Sequence, residues 1–144
     1  MSEPETLLYQ ASVVAIEGRA LALEGPPGSG KSSLALALIG RGAALIGDDG
    51  VALHRDGDRV IAAPPPNTNG LLEIRGVGLV TMPVAPPTPL ALVLKLGMAG
   101  ERLPDSLGTR ALLGCNIPVL PFEPGNIAPA QRAHHALRLH GIAP

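Results

Sequence analysis

Aromatic residues are nearly missing from this 144-residue chain, which has one Phe, one Tyr and no Trp. A core must therefore be filled by aliphatic and small side chains, within a hydrophobic content of 46%. Neither sign of charge predominates. The formal net charge is −1, and there is no basic block and no aromatic interleaving, which argues against a nucleic-acid partner. A single cysteine, Cys115, excludes an intrachain disulfide and fits a reducing compartment. It reads as a small apolar residue with no paired histidine to make it a nucleophile. Long hydrophobic runs are also absent. The longest apolar region, Val77 to Met98, is broken by Pro83, Pro86, Pro87 and Pro89 and makes no membrane span. The acidic start, Met1-Ser2-Glu3-Pro4-Glu5-Thr6, lacks a charged-then-apolar signal pattern. A cytoplasmic protein is expected, with no nucleic-acid or membrane partner.

Glycine (18) and proline (16) approach the level of about 25% at which low-complexity composition becomes a concern. Apolar runs nevertheless alternate with turn residues, which predicts a folded, loop-rich α/β domain. The length suits one domain over residues 1–144, with residues 1–10 expected to be a poorly ordered tail. Only 16% of residues are charged, which leaves room for a buried subunit interface.

The most informative stretch is Gly25-Pro26-Pro27-Gly28-Ser29-Gly30-Lys31-Ser32. It follows the apolar run Arg19–Glu24 and leads into Ser33-Leu34-Ala35-Leu36-Ala37-Leu38-Ile39. Strand, glycine loop and helix form the context in which GxxxxGK[ST] reads as a phosphate loop. Glycines bring the backbone close to phosphates, and the helix start attracts an anion. Pro26 and Pro27 have no N–H, so the donors must come from Gly28 through Ser33. Gly25, Gly28, Ser29, Gly30, Lys31, Ser32 and Ser33 are thus the candidate nucleotide-binding residues. Lys31 would reach the β/γ-phosphates and Ser32 would ligate Mg²⁺. A glycine-rich turn with a chance lysine is the alternative. Lys31 is one of only two lysines, against nine arginines.

Around the loop, Ser12–Glu17 and Arg19–Leu23 read as a hairpin, and the helix from Ser32 to about Gly40 places Leu34, Ala37 and Leu38 on one face. The strand Ala43–Ile46 closes on Gly47-Asp48-Asp49. Such a strand-end acid serves Mg²⁺ or accepts the proton of an attacking hydroxyl. Adjacent side chains on an extended segment alternate, so at most one of Asp48 and Asp49 is expected to face a phosphate. An Asp-Asp-Gly surface turn is the bland reading. Val51–His54 and Val60–Ala63 flank a tight Asp-Gly turn. Glu73 and Arg75, at i and i+2, share a face and would complete a metal and phosphate site, although a surface ion pair is the default. The glycines at 76 and 78 suggest close backbone approach. Leu90–Leu96 is a strongly apolar strand. Gly97–Gly108 reads as a loop whose Arg102 would close on the site, or is simply exposed. Pro118–Pro129 reads as a proline-punctuated segment, and Pro129–Leu139 as a terminal helix. The histidines show no metal-ligand spacing.

The order GKS, Arg41-Gly42, Asp48-Asp49 and Leu72-Glu73-Ile74-Arg75-Gly76-Val77-Gly78 resembles the catalytic domain of HPr kinase/phosphorylase, well over Ser12–Val80 and loosely beyond. The resemblance implies a P-loop nucleotide-binding domain of the HPr kinase/phosphoenolpyruvate carboxykinase type, with a mixed sheet and β-hairpins. It implies ATP-dependent phosphorylation of a serine of HPr, the phosphocarrier of the sugar phosphotransferase system, with Mg²⁺ as cofactor. By motif, Asp49 would be the catalytic base and Lys31 the phosphate-binding catalytic lysine. Ser32 and Glu73 would bind Mg²⁺, with Asp48 a further metal candidate from its place at the strand end, and Arg102 would match an active-site arginine. Hexamers are implied too. Three departures stand out. The family's histidine in a HAS-like pattern is Gln10 in Gln10-Ala11-Ser12. The short N-terminal stretch resembles a catalytic-domain-only form. The arginine-bearing C-terminal segment is represented by Leu120-Pro121-Phe122-Glu123-Pro124-Gly125-Asn126, where Glu123 would repel inorganic phosphate and argues against phosphorolysis. An ATP-binding regulatory module and a small-metabolite kinase are the competing readings. The second is disfavoured because Gly97–Gly108 contains one arginine.

Overall fold

A computed structural model describes residues 6–65, 70–98, 100, 104 and 106–144. In chain order the elements are β1 (Thr6–Tyr9), β2 (Ser12–Ile16), β3 (Arg19–Glu24), α1 (Lys31–Ile39), β4 (Ala44–Gly47), β5 (Val51–Asp56), β6 (Arg59–Ala63), β7 (Leu71–Ile74), β8 (Gly78–Thr81), β9 (Thr88–Leu96), β10 (Gly108–Leu112), β11 (Cys115–Phe122) and α2 (Pro129–His140). The result is a mixed α/β sheet built largely of hairpins, with β7 and β8 forming a separate ribbon.

Strand β9 is the hub. It runs parallel to β3 and to β11, while its first residues pair antiparallel with β6. From β3 the sheet continues through β2 to β4, and from β6 through β5 to β1. Strands buried on both faces read as continuous apolar runs, as Leu90–Leu96 does. Their two faces feed different cores. Leu21 and Leu23 of β3 pack with Leu34, Ala35 and Leu38 of α1 and Ala133 and Leu137 of α2. Ala20 and Ala22 point the other way, towards Leu53, Val60 and Ala62 of the second sheet wing. Small alanines on that face let the second wing come close. The β3–β9 register slips between Ala20 and Leu21, so Ala91 has no partner on β3 and lies on the helix side beside Leu92. The carbonyl of Ala91 instead accepts from the amide of Ile142 at 3.0 Å, which pins the segment after α2.

Several expectations change in the structure. Thr6–Tyr9 is not a loose tail. It pairs with Val51–His54, and Tyr9 is buried. On α1 it is Ala35 rather than Ala37 that is fully buried with Leu34 and Leu38. The stretch Leu71–Thr81 is a hairpin, and at neither Gly76 nor Gly78 would a Cβ meet anything within 4 Å. Those glycines serve the turn, with φ of 80° and 131°, rather than a close approach. The proline-punctuated segment begins as β11, paired with both β10 and β9. Pro118 and Pro121 sit within it, since proline is tolerated where a ladder position does without an N–H. Among the described residues no helix is long and apolar enough to cross a membrane.

Candidate active site

The loop between β3 and α1 begins where β3 leaves the sheet. Glu24, the last residue of β3, is buried and paired with Arg110 at 2.7 Å, and it accepts a hydrogen bond from the Tyr9 hydroxyl. Burial foremost, and then the Glu24 carboxylate, push the Tyr9 phenol pKa well above its usual range. A rigid anchor therefore precedes the loop. A Cβ at Gly25 would lie 2.5 Å from Ser29 Oγ and 3.1 Å from the Leu96 carbonyl, so glycine is required there by space. The Ser29 amide donates to the Pro26 carbonyl at 3.1 Å, closing a turn, and Ser29 Oγ is buried without a partner among the described residues. Gly30 caps α1 at φ 99°, a left-handed geometry natural to glycine. No side chain caps this helix start, and no acidic residue occupies its first turn. Its free amides keep their affinity for an anion.

Lys31 Nζ donates to the Gly25 carbonyl at 2.8 Å and stands 3.8 Å from Asp49 Oδ1. One turn is enough to bring Ser32 Oγ within 2.8 Å of Asp48 Oδ1. The same carboxylate oxygen accepts from Ser12 Oγ at 3.0 Å, and Oδ2 accepts from the Glu73 amide at 3.3 Å. Asp48 thus ties together β2, α1, the end of β4 and β7. The expected alternation of the two aspartates fails for a specific reason. Asp49 has φ 64°, which breaks the extended geometry, and both acids line one cavity of about 510 Å³. A Cβ at Gly47 would run into the Gly50 carbonyl, so this tight reversal also depends on glycine. The Asp49 side chain is 77% exposed, whereas that of Lys31 is 18% exposed.

The same cavity is lined by Gly28, Gly30, Lys31, Ser32 and Ser33, and by Glu73 and Arg75. The structure therefore brings together residues from Ser12 to Arg75. Gly25 and Ser29 do not line this cavity. Arg102 falls outside the described residues. Among the described residues no three His, Cys, Asp or Glu side chains gather as a metal cluster. Ser32, Asp48 and Glu73 contribute one hydroxyl and two carboxylates, the hard oxygen donors that suit Mg²⁺ when phosphate oxygens complete its shell. Ser12 was missed by motif reading, and its only sequence signal was its place beside Gln10 in the departure from the family pattern. A second, smaller cavity of about 280 Å³ lies on the other flank of the loop, between Ser29, Gly30 and Ser33 on one side and Glu123 and Pro124 on the other. Arg132 fixes that flank by donating to the carbonyls of Ile127 and Glu123, each at 2.9 Å, with its guanidinium 4.9 Å from the Phe122 ring centroid.

A glycine loop opening a helix, with two adjacent acids at a strand end and Glu73 on a hairpin lining the same cavity, defines the class: an α/β domain with an anion-receptive helix start beside a pair of aspartates. The family model described as the HPr Serine kinase C-terminal domain matches residues 4–85, which include the loop, both aspartates and Glu73. The chain belongs to that family. An HPr kinase/phosphorylase of Chlorobium phaeobacteroides (strain DSM 266) is 34% identical over 133 residues, covering 81% of this chain and 41% of the relative. That of Clostridium acetobutylicum is 36% identical over 140 residues, covering 87% of this chain and 46% of the relative. The chain thus spans less than half the length of these relatives. The solved structure of the HPr(Ser) kinase/phosphatase from Coxiella burnetii superposes with a TM-score of 0.77 at 27% identity, covering 92% of each chain.

Proposed function

We propose that this chain is the phosphoryl-transfer domain of an ATP-dependent protein-serine kinase acting on HPr, located in the cytoplasm and assembled as a homo-oligomer. The observation that carries the reading is the 3.8 Å approach of Lys31 to Asp49 beside the glycine loop. It sets a phosphate-seeking cation next to a carboxylate free to act as a base.

In this reading the amides from Gly28 to Ser33 cradle the β- and γ-phosphates of ATP, and Lys31 turns from the Gly25 carbonyl to the γ-phosphate. Ser32, Asp48 and Glu73 hold Mg²⁺, which offsets charge on the phosphate oxygens. Asp49, exposed to an incoming protein, accepts the proton of the HPr serine hydroxyl as its oxygen attacks the γ-phosphorus, and the bond from that phosphorus to the β,γ-bridging oxygen breaks to release ADP. Arg75 lines the same cavity and neutralises developing charge, and Arg102 is assigned the same task. Glu123 beside Ser29 and Ser33 disfavours inorganic phosphate as a co-substrate, so the forward reaction is the one the site serves. ATP, Mg²⁺ and HPr give the test. Wild-type protein transfers phosphate to an HPr serine, and Asp49→Asn loses transfer while retaining ATP binding. Normal transfer by that variant removes Asp49 as the base, and no transfer by wild type to any HPr removes the kinase reading in favour of an ATP-binding regulatory module.

A further inference from the structure

Strand β3 has two ends. Glu24 leads into the glycine loop, and Arg19, five residues away, lies roughly 17 Å from it along the strand. At the Arg19 end the structure has a cavity of about 300 Å³, lined by Arg19, Arg55, Arg59, Asp58, Cys115 and Asn116, among others. None of these residues belongs to the site described above.

Three guanidinium groups share this cavity with one carboxylate. No acidic group lies within 4.0 Å of any of the three arginines among the described residues. Among the described residues Arg55 is held only by backbone carbonyls, those of Gly57 at 2.8 Å and Leu113 at 3.2 Å. Arg19 is the decisive residue. It is 8% exposed, its Nε has no hydrogen-bond partner among the described residues, and one Nη reaches only the Ile142 carbonyl at 3.4 Å. Burying a charged group without a counter-ion is costly, and arginine stays charged at any physiological pH. The Ala91 bulge and the Ile142 amide bonded to it shape the wall beside Arg19. The volume suits a small molecule.

We infer that the cavity at the start of β3 is a second binding site, one that takes the oxyanion head of a small molecule, a carboxylate or a phosphate. Arg19 supplies the buried charge and Arg59 the solvent-facing one, and their planar donors match either head group. The site is separate from the glycine loop and does not depend on the kinase reading.

The test is a ¹H–¹⁵N NMR titration of the full chain at constant ionic strength, replacing chloride by inorganic phosphate in one arm and by succinate in the other. Saturable shifts at Arg19, Arg59, Cys115 and Asn116 are expected in at least one arm, and that arm identifies the head group. Lys31→Ala leaves these shifts in place, which separates them from phosphate on the glycine loop. Arg59→Gln weakens the response about tenfold, as loss of one charge-assisted hydrogen bond would. Arg19→Gln abolishes it, and the surface variant decides the matter if Arg19→Gln does not fold. Shifts confined to Gly25–Ser33, or a linear response equal to that of chloride, would overturn the assignment.

Discussion

The Ser32 hydroxyl donates to Oδ1 of Asp48 at 2.8 Å, joining the first turn of α1 to the end of β4. That oxygen also accepts from Ser12, and its neighbour accepts from the Glu73 amide. One carboxylate therefore holds four segments in register, whatever else it binds.

Asp48→Asn tests this role. An amide keeps one acceptor oxygen but places an NH₂ against either the serine hydroxyls or the Glu73 N–H. The hydroxyls can turn round to accept from that NH₂, but the hydrogen bonds lose their charge assistance, and the loss should be about 1–3 kcal/mol. Urea denaturation should show a lower midpoint at unchanged slope, and the Mg²⁺ concentration giving half-maximal ATP binding should rise.

Gly25→Ala should disable the loop without unfolding the sheet. The added methyl lies 2.5 Å from Ser29 Oγ and 3.1 Å from the Leu96 carbonyl, so the turn must move. ATP affinity measured by calorimetry should fall at least about tenfold, the equivalent of 1.4 kcal/mol. Adding Ser29→Ala removes the nearer obstacle and should restore part of the loss. Wild-type affinity in Gly25→Ala would show that the loop has room to spare.

Glu17 reports on the docking of α2. Hydrogen bonds from Arg138, then from His134, lower its pKa from 4.5 to about 2. A carboxylate with a depressed folded-state pKa stabilises the fold above its unfolded pKa, and this contribution disappears as pH falls through the folded one. The stability difference between wild type and Glu17→Gln should thus be full above pH 5 and vanish near pH 2. Because Glu17 is exposed the difference is small, and thermal melts at matched ionic strength across that range measure it. The Arg41 guanidinium can only donate, so at 3.4 Å the Nδ1 of His134 accepts and its Nε2–H faces Glu17.

Glu123→Arg tests the proposal that Glu123 disfavours phosphorolysis. The residue lies beside Ser29 and Ser33 on the loop's second flank, and reversing its charge should draw inorganic phosphate there. Phosphate-dependent dephosphorylation of serine-phosphorylated HPr should rise from the wild-type level. No change would place the barrier elsewhere, Gln10 being the next candidate.

Much of this was legible in the residues. The β2–β3 hairpin, the glycine loop and α1, the strand ending at the two aspartates and the apolar β9 all follow from local signals: alternation, turn residues and a helix start. Strand β11 was hidden because its two prolines argue locally against a strand, and only pairing with β9 and β10 overrides that. Strand β1 was hidden because a four-residue run is indistinguishable from a tail until β5 supplies its partner.

The sequence by itself determined the loop's local form, since the backbone freedom of glycines at 25, 28 and 30 and the side-chain types of Lys31 and Ser32 are properties of the residues themselves. Tertiary structure alone decided which acid does what. Asp48 and Asp49 are neighbours with the same side chain, and nothing local separates them. Long-range hydrogen bonds from Ser12, Ser32 and Glu73 fix the first, and a left-handed backbone turns the second out towards Lys31 and solvent. In the same way, the burial of Arg19 with no carboxylate within 4.0 Å among the described residues comes from the packing of distant strands, which no local pattern records.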